Sequence, residues 1–426
     1  MPVITASLQK TGSRRVLVTV LAAMIAFLAY SSVYAYRKPF TVALFEGVGF
    51  WGISYQTLLI ISQVVGYMLS KFYGIRFIAE LKRFGRWKTS LILVGTAWLS
   101  LLFFAIAPPP FGMIFLFING FVLGFLWGII FSYVEGRLGT DFIGSVMAVS
   151  FIFAGGFTRS VAKWLMIDWS VSEQWMPFIT GLLFALPLAV LFYLLEKIPA
   201  PDESDTRERT VRVPMPAANR KRFMRSFGTG IVIITVTYTV LTVIRDLRDN
   251  YMANMWNELG YGHDAGIFAR TETFTSVIVL SVMALLVLIR KNINAFRTVH
   301  LVIAGGFALA GMSSWLFASG IMGGALWMQL VGMGLYMAYI PFNCIFFERL
   351  IATFRVAGNV GFLIYIADAY GYLGSVIIML LKSFGDFDIQ WTVFYSNGVI
   401  IFSVVGVVGT LVSLYWFNKK YSLQNQ

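Results

Sequence analysis

The sequence predicts an all-α membrane protein of twelve transmembrane helices in two pseudo-symmetric six-helix bundles, with both termini in the cytoplasm. Of its 426 residues, 58% are hydrophobic and 12% are charged, whereas about a quarter of the residues in soluble domains carry a charge. About twelve apolar stretches have close to the ~20 residues that a spanning helix needs. One long polar stretch separates them into two sets of about six.

The predicted spans follow one another with mostly short connections. Each is interpreted as a helix because backbone polar groups in lipid must find partners within their own segment. The first set covers residues 16–43, 54–78, 89–107, 111–134, 142–166 and 177–196. The second set covers residues 227–254, 265–289, 298–318, 320–346, 356–381 and 391–417. A cleaved secretory signal ending at Ala35 is the alternative for the first stretch, but cleavage would leave Arg37 beside a free N-terminus.

The polar stretch at residues 197–225 has a composition that cannot form a core, which predicts a flexible cytoplasmic linker. It separates an N-terminal bundle, residues 1–196, from a C-terminal bundle, residues 226–426. The halves resemble each other, because Glu-Gly-Arg-Leu at 135–138 closes the fourth predicted span and Glu-Arg-Leu at 348–350 closes the tenth. A duplicated unit with an axis along the membrane normal is therefore predicted.

The charge distribution predicts the orientation. Lys and Arg number 33 against 20 Asp and Glu, a net charge of +13. The basic residues recur at every second connection, which argues against a nucleic-acid partner and places those connections in the cytoplasm of a multi-pass cell (inner or plasma) membrane protein. The single cysteine, Cys344, excludes an internal disulfide, and with two histidines a multi-histidine metal site is not predicted. No cofactor is predicted, and the expected state is a monomer in the lipid bilayer.

Two arginines in the middle of apolar stretches are the strongest site candidates. Arg37 lies in the first predicted span and Arg245 in the seventh, each seven residues after a tyrosine, Tyr30 and Tyr238, which is two turns back on one helix face. A charge at the bilayer centre costs about 2.5–3.5 kcal/mol on insertion scales, so it is rarely kept without a function. Because a guanidinium donates two parallel hydrogen bonds to carboxylate or phosphate, a small anionic solute is the predicted partner. Two further residues complete the predicted binding set, Tyr34 and Lys38, the latter without an acid in its own span.

Other charged groups at membrane depth are candidates for coupling or charge pairing. Asp249 can pair with Arg245 or Arg248 one turn away, and Glu272 lies close to Arg270. The full candidate set comprises Asp368, Arg159, Asp246, Arg248 and Asp249. Asp368 could carry a proton or balance Arg159 or Arg245. A structural or gating role near the outer interface is the alternative for five groups: Lys38, Lys163, Arg248, Asp249 and Arg270.

A glycine stripe marks the fourth predicted span. Gly120, Gly124 and Gly128 recur every four residues, which places them on one side of a helix. Small residues on one stripe let two helices approach closely. The stripe is interpreted as a packing feature and not as a binding site.

These features resemble the major facilitator superfamily, and most closely its organophosphate:phosphate antiporters of the glycerol-3-phosphate transporter type. Tyr30, Tyr34, Arg37 and Lys38 match the tyrosines and Arg-Lys of that family's first span, and Arg245 matches its second arginine. Ser-Lys-Phe at 70–72 and Gly-Tyr-Leu-Gly at 371–374 are also similar. The resemblance implies that the two arginines hold a phosphate group. Residues 346–355 and 365–374 resemble an uncharacterised bacterial family of the same superfamily.

The chain departs from the superfamily in its cytoplasmic signature, G-x-x-x-D-R-x-G-R-[RK]. Here Lys82 stands where the aspartate is expected, followed by Arg83, Gly85 and Arg86. In the superfamily this loop acts as a conformational latch, so the substitution weakens the latch that the resemblance implies.

No catalytic motif occurs, neither Gly-x-Ser-x-Gly nor a phosphate loop nor His-Glu-x-x-His, so an enzyme is not predicted. The first hypothesis is a secondary active transporter of a small organic anion, possibly phosphorylated, working by alternating access. One alternative is a proton-coupled symporter of a neutral solute, in which the arginines are merely paired with acids. Another is a non-transporting membrane sensor that binds a ligand and signals through its cytoplasmic loops.

Overall fold

The structure, a computed structural model, describes residues 2–80, 85–134, 140–199, 217–355, 360–384 and 390–424. The helices of the first half are α1 (Pro2–Val33), α2 (Tyr55–Glu80), α3 (Arg86–Ile106), α4 (Gly112–Leu123), α5 (Leu126–Val134), α6 (Thr140–Asp168) and α7 (Met176–Glu196). Two 3-10 turns, Tyr34–Tyr36 and Pro39–Val42, follow α1. A short antiparallel hairpin of β1 (Gly49–Phe50) and β2 (Ile53–Ser54) then leads to α2.

The second half begins with the longest helix. Its helices are α8 (Ala217–Glu258), α9 (Ile267–Val287), α10 (Asn292–Ala318), α11 (Gly324–Pro341), α12 (Phe347–Phe354), α13 (Val360–Phe384) and α14 (Trp391–Gln424). A π-helical turn, Phe342–Phe346, joins α11 to α12 in one path. The pair α4 and α5 forms one path in the same way, interrupted at Gly124.

The described chain contains ten segments long and apolar enough to cross a membrane, with α4–α5 and α11–α12 each counted as one. α2 and α13 have 26 and 25 residues, which is also sufficient length, and they complete the predicted twelve. Large apolar side chains such as Leu186, Leu288 and Ile401 are exposed on the outer faces of the helices. This is the pattern expected where lipid surrounds the protein.

The helices form two packed sets that meet along two helix pairs. In the first set α1 packs on α6 and α7, while α2 and α3 pack on α4; in the second, α8 packs on α13 and α14, and α10 on α11 and α14. Between the sets, α2 packs on α13 and α6 packs on α9. α2 and α9 are the second spans of their sets, and α6 and α13 are the fifth spans. Each contact therefore joins the second span of one set to the fifth span of the other, as a two-fold relation between the sets requires. The predicted pseudo-symmetric pair of six-helix bundles is confirmed.

Glycines permit the close contact between α2 and α4. A Cβ atom on Gly120 would lie 2.1 Å from the carbonyl oxygen of Gln63, and one on Gly124 would lie 1.6 Å from Ser70 Oγ. Any side chain at either position would push the helices apart. The prediction that Gly120 and Gly124 are packing positions is confirmed, and Gly128 follows the interruption on α5.

The first predicted span is not one continuous helix. Pro39 has no N–H to donate to the carbonyl oxygen of residue 35, so it removes a helical hydrogen bond here. The α-helix ends at Val33, and the chain reaches Pro39 through a 3-10 turn. Arg37 therefore lies in a break and not on the face of α1 that carries Tyr30. The prediction that these two residues share a helix face is wrong.

Amide side chains stabilise this break. Gln63 Nε2 donates to the carbonyl oxygen of Arg37 at 3.0 Å, and Asn119 Nδ2 donates to that of Tyr36 at 3.1 Å. Gln63 also donates to Asn119 Oδ1 at 2.8 Å. Backbone that leaves the helix at membrane depth requires such partners from the protein. The amide side chains of Gln63 on α2 and Asn119 on α4 thus donate to backbone carbonyl oxygens that the end of the helix leaves without a partner.

The two ends of the bundle differ in charge. The end that carries β1 and β2, called here the hairpin end, has acidic connections with Glu46, Glu173, Glu258 and Asp264. The opposite end, called the terminal end, carries the start of α1 and the end of α14. Its described connections are basic and contain Arg86, Lys88, Arg290, Lys291, Arg297, Arg349, Arg355, Lys419 and Lys420.

Candidate functional site

Arg37 lies in the interior, in the break that follows α1. Its guanidinium carbon is 3.8 Å from the centre of the Tyr67 ring on α2 and 5.8 Å from that of Tyr34. The side chain is partly exposed, and its Nε–H has no hydrogen-bond acceptor. Among the described residues no carboxylate pairs with it. A guanidinium between aromatic rings and without an acid partner is well suited to bind an anion.

Arg245 lies on α8 in the second bundle and is only 9% exposed. Its Nη2 is 2.5 Å from Asp246 Oδ1, and its guanidinium carbon is 4.1 Å from the centre of the Tyr339 ring on α11. Ser375 Oγ donates to the other oxygen of Asp246 at 3.0 Å. The charge of Arg245 is thus neutralised by its neighbour, although its Nε–H has no acceptor.

Both arginines face an aromatic space between the bundles. Tyr372 on α13 lies near both guanidinium groups, and so does Tyr34. The rings of Tyr67 and Tyr372, one from each bundle, are 5.7 Å apart in an edge-to-face arrangement. We call this space the central chamber and define it by Arg37, Arg245, Tyr34, Tyr67 and Tyr372.

Tyr238 contacts an acid and not the chamber arginines. Its hydroxyl donates to Asp368 Oδ1 at 2.5 Å. Asp368 also interacts electrostatically with Lys71 of α2 and with Arg245. The sequence left open whether Asp368 balances Arg159 or Arg245, and the structure places it beside Tyr238 and Lys71.

Tyr30 packs behind Tyr34. Its ring centre is 5.5 Å from that of Tyr34, 5.1 Å from that of Trp127 and 5.4 Å from that of Phe151. All three contacts are edge to face, which is a favourable geometry for aromatic rings. Tyr30 therefore supports the position of Tyr34, and Tyr34 is the tyrosine of the pair that reaches both arginines.

Lys38 has a protein counter-charge, contrary to the prediction from the sequence. Its Nζ pairs with the carboxylate of Asp249 on α8 and donates to Asn250 Oδ1 at 3.0 Å. Arg159 of α6 pairs with the same carboxylate at 2.7 Å and donates through Nε to Thr41 Oγ1 at 3.0 Å. The helix break turns Lys38 away from α1 and towards α8. Lys38, Arg159 and Asp249, called here the ionic triad, join the two bundles.

Two predicted pairings within the second bundle are wrong. Asp249 pairs with neither Arg245 nor Arg248, and Arg248 Nη2 instead lies 2.7 Å from Glu272 Oε1 of α9. Glu272 does not pair with Arg270, because residues two apart on a helix point to different sides. Arg270 pairs with Asp264 at the hairpin end, where the Arg270 side chain is exposed. Helix spacing identifies neighbours one turn away but not the partners that a packed helix supplies.

Polar contacts between the bundles also close the hairpin end. The hydroxyls of Thr57 and Tyr251 are 2.9 Å apart, and the amides of Gln56 and Asn254 exchange hydrogen bonds of 3.1 and 3.0 Å. Beyond them a cavity of about 660 Å³ opens at the hairpin end, with Gln56 and Asn254 in its lining. At about 1.5 Å per residue, Asn254 lies ~13 Å nearer to this end than Arg245. The Thr57–Tyr251 and Gln56–Asn254 contacts lie between the cavity and the central chamber.

Part of the predicted signature loop lies outside the described residues. Lys82 and Arg83 fall there, as do the motif at 135–138 and residues 200–216 of the predicted linker. Their predicted roles stay predictions.

Arg86, the described basic residue of the signature loop, connects three helices at the terminal end. It is the first residue of α3 and follows Gly85, whose φ of 76° suits glycine. Arg86 Nη1 donates to the carbonyl oxygen of Ser132 at 2.9 Å, and its guanidinium carbon lies 4.1 Å from the centre of the Tyr133 ring. Tyr133 donates to Glu196 Oε2 at 2.8 Å. This contact holds the ends of α3, α5 and α7 together.

The sequence interpretation missed several tyrosines that lie near the two arginines. Tyr67, Tyr336 and Tyr339 stand in apolar spans and were not distinguished from packing aromatics. Tyr67 could have been found, because Lys71 follows it by one helical turn, and its Nζ lies 4.8 Å from the centre of the Tyr67 ring. A charge and a ring on one face of a spanning helix indicate an interior surface.

Two bundles of six helices around a polar, charged interior define a multi-pass membrane protein with the major facilitator fold, as solved structures confirm. A bacterial homolog of the human lysosomal transporter Spinster, inward-facing and unoccupied, superimposes with a TM-score of 0.63 at 13% identity, over 96% of this chain and 98% of that one. The nucleoside transporter NupG gives 0.61 at 13% identity, over 94% and 99%. The major facilitator superfamily proton:xylose symporter XylE gives 0.57 at 17% identity, over 94% and 95%; another XylE structure is from E. coli.

The chain belongs to DUF5690, a family of unknown function, whose model matches residues 39–420. A search of curated proteins finds no match. A shared fold does not specify a substrate, which depends on the side chains of the chamber.

Proposed function

We propose that this protein is a secondary active transporter of a small organic anion that works by alternating access. The observation that carries the proposal is Arg37, a partly exposed interior guanidinium that has no carboxylate partner among the described residues. Interior charge is costly unless something neutralises it. An anion in the central chamber supplies the missing negative charge. It also accepts hydrogen bonds from the Nε–H groups of Arg37 and Arg245, which have no acceptor in the described part of the protein.

Alternating access requires bundles that can rock and a site between them. Residues 1–196 and 226–426 are proposed as the rocking units, with 197–225 as the cytoplasmic linker. The contacts between bundles that close the hairpin end are polar side-chain contacts, such as Thr57–Tyr251 and Gln56–Asn254, which can exchange for water when the end opens. By the positive-inside rule we place the terminal end on the cytoplasmic side of a cell membrane, so that the closed hairpin end faces the outside.

The substrate class is proposed from the same two arginines. The likeness to organophosphate:phosphate antiporters favours a phosphorylated or carboxylated solute, which a guanidinium binds through paired hydrogen bonds. Arg245 would contribute by turning its free Nε–H and its second Nη to the anion while Asp246 keeps it oriented.

The test is uptake into proteoliposomes that contain the purified full chain. Radiolabelled carboxylates and phosphate monoesters are offered in the presence of a pH gradient or a counter-substrate gradient. We expect uptake of at least one anion, and Arg37→Ala should reduce it by about two orders of magnitude if the guanidinium contributes ~2–3 kcal/mol of charge-assisted hydrogen bonding. Arg270→Ala removes the same charge from an exposed position and should leave uptake unchanged. Equal uptake by wild type and Arg37→Ala would contradict the proposal.

Proton-coupled symport of a neutral solute is a second candidate, and one observation favours it. Arg245 is already neutralised by Asp246 at 2.5 Å, so the second bundle offers no net positive charge at this position. In this case Asp368, beside Tyr238, would exchange the proton. Uptake of uncharged sugars or nucleosides that depends on the pH gradient and is abolished in Asp368→Asn, without any anion uptake, would select this candidate.

A further inference from the structure

The charges of the interior are paired in a regular way, with two exceptions. Arg245 pairs with Asp246 and Arg248 pairs with Glu272. Lys71 and Asp368 add one further charge of each sign. Each of these couples has no net charge, which is the usual solution for charges held away from water.

The two exceptions each have one positive charge in excess. Arg37 has no carboxylate partner in the described part of the chain. The ionic triad combines two cations, Lys38 and Arg159, with the single carboxylate of Asp249. In the described interior, cations therefore exceed carboxylates by two.

Both excess charges act on the same space. Lys38 follows Arg37 directly in the chain, and the two cations interact electrostatically. On the other bundle, Asp249 of the triad follows Arg245 by four residues, which is one turn of α8. Both excess charges are therefore adjacent to the chamber, where low-dielectric surroundings strengthen their effect on a bound ion.

We propose that the cargo is a doubly charged anion, either a dicarboxylate or a phosphate monoester in its dianionic form. This inference rests on the proposed function and makes its substrate class specific. A dianion in the chamber neutralises the interior, whereas a monoanion leaves one positive charge without a partner and a neutral solute leaves two. Arg37 makes the direct contact, and the triad supplies the second charge through the field of Lys38 and Arg159.

The test uses two series of probes in which the charge changes and the size hardly does. The first consists of methyl, dimethyl and trimethyl phosphate, with charges of about −2, −1 and 0 at pH 8, since the second pKa of a phosphate monoester is near 6. The second consists of succinate, its monoamide and its diamide. Binding to the purified full chain is measured by calorimetry at constant ionic strength. The two series distinguish a phosphate cargo from a carboxylate cargo.

In at least one series we expect the dianion to bind about tenfold more tightly than the monoanion, and the monoanion more tightly than the neutral compound. Arg37→Gln, which keeps a hydrogen-bonding side chain but removes the charge, should bring the dianion and the monoanion to within about twofold. Arg37→Lys should keep the preference for the dianion, and Arg270→Ala should match the wild type. If Arg37→Gln does not fold, the relative affinities of Arg37→Lys for the dianion and the monoanion test the proposal instead.

Equal or tighter binding of the monoanion in both series overturns the proposal. Absence of binding by every member of both series overturns it as well. Its failure and that of the proposed function are distinguishable through uptake measured on the same preparations. Dianion-selective binding without uptake refutes transport and supports a doubly charged ligand. Uptake that does not distinguish monoanions from dianions supports transport and refutes the preference for a dianion.

Discussion

Lys38 and Asp249 form a buried ion pair between the two bundles, and Arg159 binds the same carboxylate at 2.7 Å. Lys38 stands immediately after Arg37 in the break, and Asp249 stands one helical turn after Arg245 on α8. The residues that close the hairpin end are therefore next in the chain to those that face the chamber. The ion pair therefore lies one peptide bond from Arg37 on one side and one helical turn from Arg245 on the other.

Removing the shared carboxylate should destabilise the protein. Asp249→Asn leaves Lys38 and Arg159 buried without an acid, and we expect the free energy of unfolding to fall by about 3–5 kcal/mol. Asp264→Asn is the matched control, because it removes the carboxylate of an exposed pair and should cost less than about 1 kcal/mol. Unfolding in detergent measures both. Equal stability of the two variants would show that the triad is not a structural connection.

Fixing the hairpin end in its closed state should stop transport. In a Cys344→Ser background, Gln56→Cys and Asn254→Cys together replace the amide pair that joins the bundles. A short bis-methanethiosulfonate reagent should then connect them and reduce uptake to background, because alternating access requires this end to open. Reductant should restore uptake. Each single-cysteine variant treated in the same way is the control, and continued uptake by the crosslinked protein would exclude opening at this end.

One extra methyl group should have opposite effects on two helices. Gly120→Ala places a Cβ 2.1 Å from the carbonyl oxygen of Gln63, so the α2–α4 contact must open and stability should fall. At Gly95 on α3 a Cβ would meet no atom within 4 Å. Gly95→Ala should therefore raise stability by about 1 kcal/mol through helix propensity. Thermal unfolding of both variants measures the signs, and a stabilising Gly120→Ala would disprove the close packing.

The amide of Asn119 should determine the position of Arg37. Asn119→Leu removes donors to the carbonyl oxygens of Tyr36 and Ala97, and an acceptor for Gln63. Because an unsatisfied buried carbonyl costs about 1–3 kcal/mol, the break should shift and the KM for the transported solute should rise by about tenfold.

The control for Asn119→Leu is Asn294→Leu, which changes an exposed asparagine at the start of α10. It should leave KM unchanged. A normal KM in Asn119→Leu would mean that the break keeps its shape without this amide.

Much of the architecture could be predicted from local composition. Spanning helices are defined by length and apolarity, which are properties of each segment alone, and the stripe of Gly120 and Gly124 indicates a close helix contact by its spacing. Arg37 and Arg245 could be singled out for the same reason, because a charge in an apolar segment is visible without knowing its surroundings.

The charge partners could not be predicted in this way. Helix spacing pairs Asp249 with its neighbours on α8, yet it pairs with Lys38 and Arg159 from the other bundle. Spacing also puts Glu272 close to Arg270, but Glu272 pairs with Arg248. In each case the true partner lies on a different segment of the chain, and no spacing rule within a helix contains that information.

By itself the sequence determined the number of spans, the division into two sets and the presence of two arginines within apolar segments, because hydrophobicity and charge act residue by residue. Only the tertiary structure decided which of the interior cations retain an uncompensated charge. That outcome depends on which helices pack together and on where Pro39 ends the first helix, and both arise from contacts between residues that are distant in the chain.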